Sequence, residues 1–177
     1  MLTSTDFSGL INQRFFKNFL PIPAHSSLAI GDRAPDFHLL HVQSQEMLTL
    51  SDYWGRQPVV LAFTRIFTEN QYCPLCFPHI VALNKAYKRL QAKGAAVLMI
   101  TSTDNRQSQI VQQDLGLEVP LLSNPSCQVF RQYGTGQALG APLPAQFVLN
   151  SQGYIVYRHL FSFLDANASL ERLLKYL

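Results

Sequence analysis

Cys73 and Cys76 form a Cys-Pro-Leu-Cys run between a stretch that reads as a buried strand and one that reads as an amphipathic helix. No other feature of the chain constrains its fold as strongly. Pro58 is followed by Val59-Val60-Leu61-Ala62-Phe63, an apolar run that is β-branched at its start. Such a run fits a strand covered on both faces. A polar connection leads to the cysteines, and Cys76, Ile80, Leu83, Tyr87 and Leu90 then mark one face of a helix. Lys85, Lys88, Arg89 and Lys93 crowd the C-terminal half of that helix, where positive charge complements the dipole. Gly94 suits the position just past its end. A basic docking patch for an acidic partner is the alternative reading of the same cations.

The remaining pattern continues the alternation. Residues 37–40 and 47–50 read as short strands around a polar turn, with Ser51 and Asp52 offering a cap or turn. Residues 95–101 read as a second buried strand, 106–115 as a helix stopped by Gly116, 119–122 as a short strand, and 128–133 as one or two helical turns. Strands at 145–149 and 154–159 are joined by Asn150-Ser151-Gln152-Gly153, a hairpin signal with glycine for positive φ. A helix over 168–177 ends the chain. This order predicts an α/β fold with a central mixed sheet and helices on both faces.

A chain of 177 residues fits one domain, placed at residues 31–177. Residues 1–30 read as an N-terminal amphipathic extension. Phe7, Leu10, Ile11, Phe15, Phe19 and Leu20 recur at helical spacing with Arg14 and Lys17 among them, and Pro21-Ile22-Pro23 ends the pattern. Such a helix packs on the chain's own core or on the mate of a homodimer. Its alternatives are a basic helix for a membrane surface or partner, and a targeting peptide.

Composition bounds the function. With 47% hydrophobic and 14% charged residues the chain can bury a full core, which excludes wholesale disorder. A net charge of +3 is far from the balance of a nucleic-acid binder. Three cysteines do not make a disulfide scaffold in a chain this long. No stretch approaches the ~18–20 consecutive apolar residues that cross a bilayer. The N-terminus lacks the charged and apolar regions of a secretory signal. The expectation is a cytoplasmic protein with no membrane span and no nucleic-acid partner.

The thiolate is the reactive form of cysteine, and a helix N-terminus stabilises it. Cys73, ahead of the helix, is therefore the expected accessible nucleophile. Cys76, on the apolar stripe, is the expected buried resolving thiol, able to attack a mixed disulfide or sulfenic acid formed at Cys73. Pro74 suits a first helical position, but Pro78 moves the start of the regular helix to near Phe77. Two alternatives stand beside this reading: a zinc site completed by His79, and a pair of inert core thiols. Cys127 is either a second resolving thiol or a small core residue, with the core role favoured. Glu69 either assists proton transfer or faces water, with water favoured, and neither His79 nor His159 receives a role.

Four stretches carry a resemblance. Gly31-Asp32-Arg33-Ala34-Pro35-Asp36-Phe37 resembles the opening "G-x-x-A-P-D-F" of the AhpC/TSA, peroxiredoxin-like branch of the thioredoxin superfamily. Leu50-Ser51-Asp52-Tyr53-Trp54-Gly55, followed by Pro58 to Phe63, resembles its "L-S-D-x-x-G…V-V-L-x-F". Tyr72-Cys73-Pro74-Leu75-Cys76 resembles the "W-C-P-x-C" subgroup. Leu143-Pro144-Ala145-Gln146-Phe147-Val148-Leu149-Asn150, then Gly153-Tyr154-Ile155, resembles the "P-x-x-F-V-I-D-x-x-G-x-I" strand pair.

The resemblance implies a thioredoxin-like fold with Cys73 at the attacking position. It also implies a cis Leu143–Pro144 bond beside the pair, presenting the Leu143 backbone to substrate. The family's "P-x-x-x-T-x-x-C" is replaced here by Phe63-Thr64-Arg65-Ile66-Phe67-Thr68, with Thr68 five residues before Cys73. Thr68 and Arg65 are the substrate-side candidates, Arg65 either supplying charge near Cys73 or facing solvent from a loop. The family's late-strand arginine has no match, since Gln146 stands in its place.

The reading is a thiol-dependent oxidoreductase. Cys73 attacks peroxide or a disulfide, Cys76 resolves it, and an external thioredoxin-like dithiol recycles the pair without metal or organic cofactor. Its alternatives are a disulfide oxidoreductase without peroxidase activity and a non-catalytic binding module.

Overall fold

The structure, a computed structural model, describes residues 9–177. Its centre is a seven-stranded mixed sheet. The strands, in chain order, are β1 (His38–His41), β2 (Glu46–Thr49), β3 (Val59–Thr64), β6 (Ala96–Thr101), β7 (Leu121–Ser123), β10 (Ala145–Leu149) and β11 (Ile155–Leu160). Across the sheet they run β11-β10-β3-β6-β7-β1-β2. β3, β6 and β7 are parallel, whereas β10 lies antiparallel to β3. Two short hairpins stand outside the sheet: β4 (Ile66–Thr68) with β5 (Gln71–Tyr72), and β8 (Gln137–Ala138) with β9 (Ala141–Pro142).

Alternation along β3 builds two cores. Val59, Leu61 and Phe63 enter one face with Phe130, Tyr133 and Phe147. Val60 and Ala62 enter the other with Ile80, Leu83 and Leu90 of helix α2 (Phe77–Ala92). Every β3 residue is buried, which explains the unbroken apolar run. Helix α3 (Asn105–Asp114) and helix α5 (Leu170–Leu174) contribute Val111 and Leu173 to the α2 side. The short helix α4 (Gln128–Gln132) contributes Phe130 to the opposite one. The β10–β11 hairpin forms where expected, with Gly153 at φ 84°.

Three expectations need correction. Among the described residues, the helical spacing expected of the N-terminal segment produces one short helix, α1 (Gln13–Lys17), capped by the Asn12 side chain. Phe7 lies outside the described residues. Of the described stripe residues, Ile11, Phe19 and Leu20 are exposed while Leu10 and Phe15 are half-buried, so the stripe is only partly covered and does not extend the helix. Beyond α1 the chain turns extended and pairs with β8 through Ile22 and Gln137.

Secondly, the connection after β3 is not simply polar loop. It folds into the β4–β5 hairpin, with Ile66, Thr68, Gln71 and Tyr72 buried.

Thirdly, no peptide bond among the described residues is cis, so Leu143–Pro144 is trans. The chain reverses ahead of that bond, between β8 and β9. There Leu139 and Gly140 take φ values of 50° and 85°, as a two-residue hairpin turn demands. Pro144 then enters β10 in the ordinary trans form, which X-Pro bonds prefer by ~0.5–1 kcal/mol.

Candidate active site

The cysteine run is a turn that becomes a helix. The Cys73 carbonyl accepts from the N–H groups of Cys76 and Phe77, each at 2.9 Å. Cys76 is the residue just before α2, and its carbonyl accepts from Ile80 at 2.9 Å. Pro78 therefore falls in the first turn, where an N–H has no intrahelical acceptor, and the helix is not broken. Both cysteines are free thiols and both are buried, Cys76 at 1% exposure as expected but Cys73 at 5%, so Cys73 is not the accessible thiol its place ahead of the helix predicts.

Their environments pull them apart. The Cys76 thiol donates to the Cys73 sulfur, the Leu75 and Cys76 N–H groups point to it, and the Arg65 guanidinium adds positive charge. Together these bring the Cys73 thiol down to about 6, against the opposing effect of burial. Cys76, as donor in that hydrogen bond and more deeply buried, is pushed strongly up. A low thiol beside a high one is the division of labour that an attacking and a resolving cysteine require.

Arg65 is not a solvated loop residue. It is 8% exposed, because the β4–β5 hairpin folds the chain back immediately after β3. Its positive charge favours the thiolate form of both Cys73 and Cys76. The guanidinium also donates to the Ala138 carbonyl and lies 4.7 Å from the centre of the Phe67 ring.

The other expected residues are engaged within the fold. Thr68 is fully buried in β4, and its hydroxyl accepts from the Asn70 N–H at 3.2 Å, which closes the hairpin turn. Leu143 spends its N–H on the Gly136 carbonyl at 3.0 Å, so that donor is not presented to a substrate. Ala145 pairs with Phe63, which sets Pro144 at the Thr64 end of β3, the end from which Arg65 and the cysteine run depart. Glu69 does not simply face water: it accepts from Arg106 Nη1 at 2.6 Å and Gln107 Nε2 at 2.9 Å.

Sequence reasoning missed Asn167. Its side-chain amide donates to the carbonyl of Leu75, between the two cysteines, at 3.0 Å. Its carbonyl oxygen accepts from Gln146 Nε2 at 2.9 Å, and Gln146 in turn accepts from the Ala168 N–H at 2.7 Å. The buried Gln146, noted only as the occupant of the arginine position, thus ties β10 to the cysteine turn. A signal was present in its place on an otherwise apolar strand, since a buried amide must find partners.

Cys127 precedes α4 at φ 56°, and burial pushes its thiol up. A cavity of about 360 Å³ opens beside it, lined by Asn18, Ile22, Phe130 and Arg131 among others, and touches neither Cys73 nor Cys76. His79 is held down at about 4 by burial. Among the described residues, no group of three or more His, Cys, Asp or Glu side chains is arranged to hold a metal ion. No helix among them is long and apolar enough to cross a membrane.

Comparison with known proteins follows the same lines. The AhpC/TSA family model matches residues 30–158. Peroxiredoxin tpx1 of Schizosaccharomyces pombe is 30% identical over 140 residues, spanning 73% of this chain and 70% of its own. Enterococcus faecalis AhpC matches in structure with a TM-score of 0.71 at 17% identity, over 84% of this chain and 89% of its own. A candidate thiol:disulfide interchange protein, DsbE, from Chlorobium tepidum matches with a TM-score of 0.67 at 24% identity, over 84% and 97%. The architecture is thus the thioredoxin-like fold. With its paired thiols at the head of α2, this chain is a thiol-dependent oxidoreductase that belongs to the AhpC/TSA family of peroxiredoxin-like proteins.

Proposed function

We propose that the protein reduces a peroxide at Cys73 and resolves the product through Cys76. The observation that carries this reading is the placement of two buried free thiols three residues apart at the head of α2 with the buried Arg65 beside them, surroundings that lower the Cys73 thiol to about 6 and raise that of Cys76. At neutral pH Cys73 is then mostly thiolate. Its sulfur attacks the nearer peroxide oxygen, the O–O bond breaks, and the leaving oxygen takes up a proton as water or alcohol. Cys73 becomes a sulfenic acid. The Cys76 sulfur then attacks the Cys73 sulfur, displacing the hydroxyl as water and forming the Cys73–Cys76 disulfide.

An external dithiol protein of thioredoxin type supplies two electrons to restore both thiols. Such a cycle belongs in a reducing compartment, and the cytoplasm fits it. Arg65 is the substrate-side cation. Thr68 and the Leu143–Pro144 entry to β10 shape the surrounding walls rather than meet the substrate.

The burial of Cys73 at 5% favours a small oxidant over a folded protein disulfide. Disulfide exchange is the second reading, favoured by the Cys-Pro-Leu-Cys spacing, which suits a redox dithiol. Stopped-flow oxidation of the reduced protein separates the two. Faster oxidation by hydrogen peroxide than by a model disulfide is expected, and the reverse order would assign the protein to disulfide exchange.

A further inference from the structure

Arg65 is held from two sides, and both holds lead to the N-terminal segment. On the main-chain side, the residues that follow it are clamped by Arg14 of α1. Arg14 Nη2 donates to the Phe67 carbonyl, and Nη1 lies 3.5 Å from the Ile66 carbonyl and 3.1 Å from Ser102 Oγ. On the side-chain side, the guanidinium of Arg65 donates to Ala138 of β8.

The β8–β9 hairpin is itself bound to the same segment. Ile22 and Gln137 exchange two main-chain hydrogen bonds of 2.8 Å. Leu139 N–H donates to Phe19 O and Gly140 N–H to Asn18 O, each at 3.1 Å. The Phe15 ring packs where a β-carbon on Gly140 would lie, 2.0 Å from its Cδ2. All of these anchors lie before residue 30, outside the stretch matched by the family.

We propose that residues 13–22 act as a strap that fixes Arg65 against Cys73, with Arg14 and Phe15 as positioning residues for the thiol. The inference rests on the reading of Cys73 as the attacking cysteine. Its physical basis is geometric. A guanidinium on a long side chain stabilises a thiolate fully only when its orientation is locked, since an unlocked fork shares its time with water and other acceptors. The charged and titratable groups facing Cys73 are Arg65 and Cys76, and those facing Arg14 are Cys127 and Asp104. Arg14 thus acts on Cys73 through Arg65 and not by direct contact.

The test uses the full-length reduced chain and measures alkylation of Cys73 by iodoacetamide against pH, read by peptide mass spectrometry. In the unaltered protein the midpoint is expected near 6. Arg14→Ala and Phe15→Ala are both expected to raise it and to slow Cys73 alkylation at pH 6 by ~threefold or more. Far-UV circular dichroism confirms that each variant is folded. Phe15→Ala changes no charge, and it remains available if Arg14→Ala does not fold. Arg14→Lys keeps the charge without the fork and should recover only part of the loss.

An unmoved midpoint in folded Phe15→Ala would overturn the strap. So would full recovery in Arg14→Lys, because the effect would then be long-range charge alone. A midpoint near ~8.5 in the unaltered protein would instead remove the activation of Cys73, and the strap's role with it.

Discussion

Arg65 and Cys73 form a buried pair, with only 8% and 5% of the two residues exposed, in which the positive guanidinium favours the Cys73 thiolate. In so dry a setting a neighbouring charge is worth considerably more than at the surface. The same burial disfavours the thiolate, so the site depends on its donors being in place.

Replacing Arg65 tests that dependence. Arg65→Met removes the charge beside Cys73 while filling similar volume. It should raise the Cys73 thiol and lower the rate of its oxidation by hydrogen peroxide at pH 6 by ~tenfold. Arg65→Lys keeps the charge but cannot reach Cys73 and Ala138 together, and should fall between the two. Stopped-flow rates from pH 5 to 9 check this. Equal rates in all three proteins across that range would show that Arg65 does not activate the thiol.

Cys76 has two separable contributions, as donor to Cys73 and as resolving thiol. Cys76→Ser retains a hydroxyl donor at that position, so the first attack should persist at a rate within ~threefold of normal. Resolution should fail, leaving a sulfenic acid that a dimedone label traps on Cys73, with one equivalent of peroxide consumed and no turnover. Cys127→Ser should turn over within ~twofold of the unaltered protein, because Cys127 is buried beside Asn18 and lines a cavity apart from the pair. Continued turnover in Cys76→Ser, with its loss in Cys127→Ser, would transfer the resolving role to Cys127.

What could be read from the sequence, and what could not, divides along physical lines. β3, α2 and the β10–β11 hairpin were legible because each has a local signature: an unbroken apolar run, an apolar stripe ended by Gly94, and a glycine turn. The cysteine pair was legible for the same reason. Arg65 was ambiguous, since its burial depends on a hairpin whose two strands, Ile66–Thr68 and Gln71–Tyr72, are too short to show a period. The roles of Asn167 and Arg14 were not legible. These residues lie 92 and 52 residues from the carbonyls of Leu75 and Ile66 that they hold, and no local pattern marks a side chain that caps a distant main-chain group. The cis form expected at Pro144 came from the family resemblance and not from a local signal, and it is not found: this chain reverses ahead of it, at Leu139 and Gly140, where a non-glycine residue at positive φ leaves little trace in the sequence.

The pH dependence of stability follows from the same thiols. For Cys73, depressed to about 6 in the native state, the unfolded chain keeps a thiol proton up to about 8.5. Between those values the unfolded state binds more protons, so the stability of the reduced protein should rise with pH. His79, held at about 4 by burial, adds an earlier rise, from about 4 to about 6.5, because the unfolded imidazole is protonated there and the native one is not. Above about 8.5 the sign reverses: Cys76 and Cys127, both pushed up, keep protons that the unfolded chain releases. Urea denaturation of the fully reduced protein, stepped from pH 4 to 10, should therefore show two successive rises and then a fall. Cys73→Ser should lose the rise between about 6 and 8.5 while keeping the earlier one. A Cys73→Ser curve that runs parallel to the unaltered protein through that upper window would mean that the native fold does not depress this thiol.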